Sequence, residues 1–270
     1  MKTKFNTILY QINKKDFVNF FHTNSLLYAL FPKDNAVTSS ILEGWQYESY
    51  MFDFLEQNQI DCGGKDIIDI GANNGNFTVD FAHLVGDNGK VHSFEPQRII
   101  YYQLCTNVFL NGIDNAYCHN VALGDKNEFV KIEKPDYFSE EYVNFGNVRV
   151  NETSENFEMV ESKKLDDYEF NNIVFIKIDV QGYEPFVIDG AIKTIEKHRP
   201  YLFVEFEEPL LNKFGSSEEL LLKKIESLGY VVKRLQEGVP FNTETGKCLD
   251  CVCIPNEKFE EFEHLSLIHI

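Results

Sequence analysis

The chain has 270 residues, of which 43% are hydrophobic, and carries a formal net charge of −18 at pH 7. These values predict one large α/β domain, or one domain with a small appendage. Because nucleic-acid phosphates and anionic membrane surfaces require a basic face, the acidic balance disfavours both as partners. No apolar stretch predicts a transmembrane helix or a signal peptide, and the six cysteines do not suggest a disulfide framework, so we expect a cytoplasmic protein.

The first 50 residues are predicted to form an N-terminal helical cap. The pattern over 16–31 has the spacing of an amphipathic helix, and Pro32 would stop it. Residues 51–270 are predicted to form the main domain, with an insertion at about 126–170.

From residue 65 onward, short apolar runs alternate with helical patterns. The predicted strands are 65–70, 90–94, 116–121, 173–179 and 201–206, and the predicted helices are 75–85, 98–111, 184–197 and 216–228. This alternation is typical of βαβ units and predicts a doubly wound, mostly parallel sheet. The apolar runs at 173–179 and 201–206 are nearly continuous, which indicates central strands buried on both faces.

Two further strands are predicted at 230–235 and 248–254. A loop rather than a helix separates them, which favours an antiparallel pair that closes a seven-stranded sheet. Within the insertion, the segments 128–133 and 142–150 look like short strands.

A glycine-containing loop, Gly71-Ala72-Asn73-Asn74-Gly75, follows the first strand of the predicted sheet. Ligands of doubly wound sheets bind at the carboxyl ends of the strands, beside the first strand. Glycines would let the backbone approach a ligand there, and the helix that begins near Gly75 would direct its N–H groups at an anionic group. Phe77 and Thr78 in the first turn of that helix are candidate cofactor-binding residues, and an ordinary structural turn is the alternative.

Two later strand ends extend this crevice. Glu95, followed by Pro96, ends the second strand, and an acid about 20 residues after such a loop can accept both hydroxyls of a ribose. The third strand leads to Ala122 and Leu123, whose small and apolar side chains suit one wall of an adenine slot. The three strand ends predict a nucleoside-binding crevice, with a solvated strand-end glutamate as the alternative for Glu95.

The loop favours a methyl donor over a dinucleotide. The dinucleotide fingerprint has a middle glycine beside the pyrophosphate, and this chain has Asn73 at that position. Asp69 would place a carboxylate near the α-ammonium group of S-adenosylmethionine (SAM) and would repel a pyrophosphate. SAM is therefore the predicted cofactor, and a nicotinamide-dependent oxidoreductase is one alternative function.

Several segments together resemble the FkbM family of SAM-dependent methyltransferases, a branch of the Rossmann-like class I methyltransferase fold. The matching segments are DIGANNGNFT, GKVHSFEP, QLCTNVFLNGI with Asn107 and Asn111, NVALGD, FIKIDVQGYE and RPYLFVEFEEP, and GWQYESY at 44–50 resembles the family's first helix. The resemblance covers roughly residues 65–210. It implies O-methylation of a hydroxyl on a sugar, a glycan or a natural-product small molecule.

One position departs from the family pattern. The family usually has Asp-Val-Glu-Gly-x-Glu after the fourth strand, whereas this chain reads Asp179-Val180-Gln181-Gly182-Tyr183-Glu184. Glutamine keeps the shape and an acceptor oxygen of glutamate but not its charge. A non-catalytic SAM-binding scaffold is therefore a second alternative.

Methylation of an alcohol requires that its proton be removed, so a base is expected beside the acceptor. Asp179, at the end of the fourth strand, is the first candidate, and Glu184 and Glu205 come next. For Glu184, a charge that favours the first turn of a helix is the alternative interpretation. The candidate substrate contacts are Gln181, His92 and Tyr183.

No metal site is expected. As an alternative, Asp179 and Glu205 end adjacent strands and could share Mg²⁺. The sequence CLDCVC resembles a metal or redox motif, but strand alternation places Cys251 and Cys253 on one face, which favours buried thiols.

The acceptor is expected to be a small molecule or a glycan, bound by the N-terminal cap, the insertion and the loop at 207–216. Aromatic and amide side chains of the insertion suit a sugar, although they could equally pack against the sheet. They are Tyr137, Phe138, Tyr142, Asn144 and Phe145.

Overall fold

The structure is a computed structural model that describes residues 7–10, 19–23, 26–31, 34, 37–42, 49–137, 141, 143–234, 249–259 and 268–269. Within these ranges, no helix has both the length and the apolar character needed to cross a membrane.

The N-terminal segment is a small sheet rather than a helix. Strands β1 (Thr7–Tyr10), β2 (Asn19–Thr23) and β3 (Leu26–Leu30) pair antiparallel in that order, so the helix predicted over 16–31 is wrong. The run NFFHTNSLLYAL has aromatic residues typical of strands on both sides of the turn-forming Thr-Asn-Ser, and this hairpin signal outweighs the helical spacing. Helix α1 (Val37–Leu42) follows, and the predicted helix at 44–48 lies outside the described residues.

The remaining elements follow the predicted alternation. The strands are β4 (Asp66–Ile70), β5 (Lys90–Phe94), β6 (Ala116–His119), β7 (Ala122–Leu123), β8 (Glu128–Glu133), β9 (Phe157–Lys163), β10 (Ile173–Ile178), β11 (Tyr201–Phe206), β12 (Tyr230–Arg234), β13 (Leu249–Pro255) and β14 (Ile268–His269). The helices are α2 (Tyr50–Gln57), α3 (Asn76–Val85), α4 (Arg98–Leu110), α5 (Glu184–Asp189), α6 (Ile192–His198), α7 (Glu208–Leu211), α8 (Glu218–Ser227) and α9 (Asn256–Phe259).

The central sheet has the order β14-β12-β13-β11-β10-β4-β5-β6. Strands β6, β5, β4, β10 and β11 are parallel, and β13 runs antiparallel to both β11 and β12. The predicted doubly wound, mostly parallel sheet is confirmed, with seven strands plus the two-residue strand β14. The chain order reverses between β4 and β10, and in such sheets this switch point is where ligands bind.

Alternation along the central strands divides the core between two faces. Ile67 of β4 packs with α2 and α3, together with Phe81 and Phe175. Its neighbour Ile68 points to the opposite face, where Val187 of α5 and other residues of α5, α6 and α8 cover the sheet. The predicted helix over 184–197 is divided into α5 and α6 at Gly190, where an added Cβ would lie 1.9 Å from the carbonyl oxygen of Gly124.

The insertion forms a second sheet of order β7-β9-β8. The strand predicted at 128–133 is confirmed as β8, whereas the strand predicted at 142–150 is wrong. Asn144 there accepts a hydrogen bond from the Gly146 N–H at 2.9 Å and begins a 3-10 helix, and this local bond competes with strand pairing. Single bridges at Val143 and Val150 flank the helix.

Helix α4 joins the N-terminal sheet to the central sheet. The side chain of Asn107 accepts a hydrogen bond from the Ala29 N–H at 2.7 Å, and that of Asn111 accepts one from the Leu27 N–H at 2.8 Å. Two amides on one helix face therefore satisfy the backbone of β3. The domain boundary at residue 50 stays a prediction.

Candidate active site

A cavity lies at the carboxyl ends of β4, β5, β10 and β11, at the switch point of the sheet. The predicted site residues that line it are Gly71, Ala72, Asn73, Phe77, Glu95, Pro96, Ala122, Leu123, Asp179, Gln181, Tyr183 and Glu205. The predicted residues outside its lining are Asp69, Gly75, Thr78, His92 and Glu184.

The glycines of the loop make room for neighbouring parts of the protein. Gly71 and Gly75 have φ angles of +77° and +83°, a conformation that glycine adopts without steric cost. A Cβ on Gly71 would lie 1.8 Å from the Asp179 carbonyl oxygen, and one on Gly75 would lie 2.6 Å from Cδ1 of Leu104. Both glycines are therefore required by packing against the end of β10 and against α4; Gly71 also lines the cavity, and its contact with a ligand stays a prediction.

The loop is fixed from the α4 side by amides. Asn107 donates from its side chain to the Asn74 carbonyl at 2.7 Å, and the Asn74 side chain accepts from the Asn76 N–H at 3.2 Å. Asn76 begins α3 and lines the cavity, so the same contacts place the amino end of that helix beside it.

Glu95 is the buried carboxylate of the cavity. Its Oε2 accepts from the Asn73 N–H at 3.0 Å and its Oε1 from the Gln97 N–H at 2.8 Å. Burial raises the pKa of Glu95 to about 7, and the two backbone hydrogen bonds oppose that shift. Each oxygen keeps a further lone pair for a ligand hydroxyl, so the fixed carboxylate fits the role predicted for it.

Asp69 and Thr78 lie beneath the cavity. Thr78 donates from Oγ1 to Oδ2 of Asp69 at 2.7 Å, and both side chains are fully buried. Burial raises the pKa of Asp69, while the Lys177 ammonium and the Thr78 hydrogen bond act in the opposite direction. Strand alternation directs Asp69 toward α3 and away from the cavity lining, and its Oδ1 has no hydrogen-bond partner among the described residues, so its contact with a ligand stays a prediction.

Apolar side chains line the part of the cavity near β7. Ala122 and Leu123 lie there as predicted, together with Phe94 and Pro96. The insertion closes this side, because a Cβ on Gly146 would lie 3.0 Å from Nδ2 of Asn73. The wall suits a flat, uncharged ring system.

Four side chains at the ends of β10 and β11 meet at the opposite part of the cavity. Lys177 places Nζ 3.1 Å from Oδ2 of Asp179 and is 2% exposed. Gln181 donates from Nε2 to Oδ1 of Asp179 at 3.0 Å and to Oε2 of Glu205 at 3.1 Å. Burial acts to raise the pKa of Asp179, but the Lys177 ammonium and these hydrogen bonds outweigh it and hold the pKa below the ordinary aspartate value.

Glu184 stabilises its own loop and does not line the cavity. Its Oε1 accepts from the N–H groups of Val180 and Gly182 at 3.0 and 3.1 Å, and the side chain is buried. Burial raises the pKa of Glu184 to about 7, although these two hydrogen bonds act to lower it. The assignment of Glu184 as a catalytic base is therefore corrected: it satisfies backbone donors at the start of α5.

Of the predicted substrate contacts, Gln181 and Tyr183 line the cavity and His92 does not. Tyr183 lines the cavity, and its ring lies 4.5 Å from the ring of Phe186. His92 lies outside the cavity lining, with its ring 5.2 Å from Tyr117 and 5.0 Å from Phe170, in an aromatic cluster. The predicted substrate contact of His92 is corrected because ring packing accounts for its position.

Two of the aromatic residues proposed to hold a sugar pack within the protein instead. Tyr137 and Phe145 are buried against Phe31, and the Tyr137 hydroxyl donates to Oε1 of Gln97 at 3.1 Å. Asn144 lines the cavity. Phe138 and Tyr142 lie outside the described residues.

The described residues include no group of three or more His, Cys, Asp or Glu side chains arranged to hold a metal ion. Asp179, one half of the alternative Mg²⁺ pair, has Lys177 as its cation. Cys251 and Cys253 are both fully buried, as strand alternation predicted.

Sequence reasoning missed several polar residues of the cavity. They are Asn76, Gln97, Arg149 and Lys177. A signal for Lys177 was present, because a lysine within the apolar run IVFIKI must find a partner if the strand is buried on both faces. Arg149 carried no such signal, since it belongs to an irregular segment.

Strand order, antiparallel β13 and a cavity at the switch point define a class I methyltransferase fold. The family described as "Methyltransferase FkbM domain" matches residues 69–232, more than half of the chain. The chain therefore belongs to the FkbM methyltransferase family, and the protein is a methyltransferase.

Solved structures provide further similarities. The chain is similar to the methyltransferase FkbM from Methylobacillus flagellatus KT, with 18% identity over 70% of this chain and 43% of that one and a TM-score of 0.46, so it spans less than half of that protein. It is also similar to a Streptococcus mutans protein solved with S-adenosylhomocysteine (SAH), with 15% identity over 75% and 94% of the chains and a TM-score of 0.48. A SAM-dependent O-methyltransferase from Thermotoga maritima has 15% identity over 85% of this chain and 74% of its own, with a TM-score of 0.43. No curated protein matches the chain.

Proposed function

We propose that this protein is a SAM-dependent O-methyltransferase that acts on a hydroxyl of a sugar, a glycan or a natural-product small molecule. The observation that carries the proposal is the arrangement of three carboxylates at two places in one cavity. Glu95 stands beside the apolar wall, and Asp179 and Glu205 stand at the neighbouring strand ends.

The cavity has the donors, acceptors and apolar surface that SAM requires. Glu95 would accept the ribose hydroxyls, and Ala122 and Leu123 would contact the adenine. Asn76, at the amino end of α3, would bind the carboxylate of the methionine end. When bound, SAM supplies a methyl group that is already activated on a sulfonium.

The side chains of the protein then have to orient the acceptor and manage its proton. Asp179 remains ionised because Lys177 and Gln181 both donate to it. It would accept the hydrogen bond of the acceptor hydroxyl and remove its proton, with Glu205 next to it. Orientation of the two reactants is the larger contribution expected from such a site.

A surface groove beside the cavity supports an approach route for the acceptor. The two share Arg149, Val150 and Tyr183, and Phe214 and Lys213 line the far side of the groove. The ring of Tyr183 lies 5.3 Å from that of Phe214, so the groove presents aromatic surface as well as charged groups. Sugars bind to surfaces of this mixed character.

The test is transfer of a radiolabelled methyl group from SAM to a panel of sugars, glycans and hydroxylated natural products. We expect transfer by the wild-type protein and a loss of at least about 100-fold in Asp179→Asn, since one positioned base contributes about 10² to 10⁴. SAH binding should be retained, because Asp179 is assigned to the acceptor. Full turnover by Asp179→Asn would contradict the assignment, and SAH binding without any transfer would support a non-catalytic scaffold.

A further inference from the structure

Gln181 has an unusual position between two carboxylates. Its φ angle is +59°, in the left-handed region that a non-glycine residue adopts only when its surroundings hold it there. An amide nitrogen carries two hydrogens. The Gln181 Nε2 is placed to give one to Asp179, directly after β10, and one to Glu205 of the adjacent strand β11.

The surroundings of this bridge are strongly acidic. Lys177 is the cation in contact with Asp179, at 3.1 Å from its Oδ2. The Asp179 charge acts to raise the pKa of four further carboxyls on β4, on α5 and after β5 and β11, and Lys213 and Arg149 oppose the shift of the last of these. The carboxyls are Asp69, Glu95, Glu184 and Glu207.

Crowded carboxylates resist ionisation, because each added negative charge raises the pKa of its neighbours. A neutral donor between two of them has the opposite effect, since it stabilises the ionised form of both without adding charge. Burial acts to raise the pKa of Asp179, and the Lys177 ammonium together with hydrogen bonds from Gln181, Lys177 and Glu205 lowers it below the ordinary value. The Gln181 amide is therefore one of several groups that act in this direction.

We propose that Gln181 is a positioning residue whose amide bridges Asp179 and Glu205 and keeps Asp179 ionised at the cavity. The catalytic use of that carboxylate rests on the proposed function, whereas the bridge itself does not. Gln181 therefore contributes to the site through its two N–H groups, although it replaces an acid of the family pattern.

The substitution Gln181→Glu tests the bridge by placing a third carboxylate between the other two. That side chain should keep a proton in the folded state above the ordinary glutamate pKa, and the unfolded chain should release it. The folding equilibrium of Q181E, relative to wild type, should then weaken by about tenfold per pH unit as the pH rises through this window. Urea unfolding of both proteins from about pH 5 to pH 8 measures the difference.

The matched control is the double variant Q181E/E205Q, which exchanges amide and acid and restores the number of carboxylates. Its stability relative to wild type should not depend on pH over the same range. The proposal would be overturned if the stability of Q181E relative to wild type did not depend on pH. It would also be overturned if the double variant showed the same pH dependence as Q181E. If Q181E does not fold, a folded double variant supports the bridge and an unfolded one overturns it.

SAH binding by the wild-type protein is measured in parallel by calorimetry. Its absence would contradict the proposed function, and the pH dependence of Q181E would still decide the bridge.

Discussion

Lys177 controls the charge balance at the carboxyl end of β10. It is 2% exposed, lies 3.1 Å from Asp179 and places Nζ 5.0 Å from the centre of the Phe77 ring. Lys177 also acts on Asp69, which lies beneath the cavity. Burial raises the pKa of Asp69, and the Lys177 charge opposes part of that shift. One ammonium group therefore favours the ionised form of two carboxyls, Asp179 in the cavity lining and Asp69 beneath it.

Replacing Lys177 by Met should destabilise the fold in a pH-dependent manner. Lys177 is buried and Asp179 is partly exposed, so loss of the pair should cost less than breaking a fully buried ion pair, which costs about 3–5 kcal/mol. Without the Lys177 ammonium, burial of Asp179 loses its largest counterbalance and acts to raise the folded-state pKa, so that stability is lost as the pH rises. The free energy lost in Lys177→Met, measured by urea unfolding, should thus be larger at pH 8 than at pH 4.

Lys177→Arg is the matched variant, because it keeps the charge in a bulkier group. It should retain the pH dependence of the wild-type protein. A loss in Lys177→Met that is equal at both pH values would indicate a packing role and contradict the electrostatic account.

The comparison of Asp179 with Glu184 shows where sequence reasoning reached its limit. Both acids were recognised within one motif, but the motif does not say where each side chain points. Positive φ angles at Gln181 and Gly182 turn the chain so that Glu184 caps its own loop. Neither angle could be inferred from residue types alone.

At the scale of elements, the loop between β4 and α3 is fixed by its neighbours. Backbone N–H groups of Gly71 and Ala72 donate to the Phe94 carbonyl at 3.0 Å, and the end of β10 packs on Gly71. The shape of the cavity therefore depends on contacts among the carboxyl ends of β4, β5 and β10. A change at Gly71 should affect all of them.

Gly71→Ala should lower the midpoint of thermal unfolding much more than Gly112→Ala. Gly112 also has a positive φ, +65°, but an added Cβ there meets nothing within 4 Å. The conformational cost, about 1–2 kcal/mol, is common to both, whereas Gly71→Ala also forces a Cβ against the Asp179 carbonyl. Equal losses in the two variants would show that the predicted clash is relieved without cost.

Elements with local signals were predicted well, and elements that depend on distant partners were not. The apolar runs of β4, β5, β10 and β11 and the breaks between them were evident from the sequence. Strand β8 of the insertion was also predicted, but β9 was not, because β9 pairs with β7 and β8 across intervening residues and its register has no short-range signal. The N-terminal strands were misassigned for a related reason, since β3 is fixed by amides of α4.

At the scale of the whole molecule, the part of the chain that matches the family contains most of the residues that line the cavity. The match covers 69–232, and this range contains the carboxylates of the cavity and the glycine loop. The N-terminal sheet lies before it. The insertion lies within it and supplies Arg149 to both the cavity and the groove, so we expect the insertion to influence which acceptor is methylated.

The net charge of −18 also acts at this scale. Acidic side chains dominate the molecule, so an anionic acceptor would have to be drawn to local cations such as Arg149 and Lys213. These two line the groove beside Glu128 and Glu152. The groove is therefore mixed in charge, which agrees with a polar, hydroxylated acceptor.

The most direct test of the account is calorimetric titration of SAH into the wild-type protein and Glu95→Gln. We expect one binding site in the wild-type protein and at least about tenfold weaker binding in Glu95→Gln, because hydrogen bonds to a charged group contribute about 1.5–3 kcal/mol. Glu219→Gln, an exposed change on α8, should bind SAH as the wild-type protein does. Absence of SAH binding by the wild-type protein, or unchanged binding by Glu95→Gln, would contradict the account.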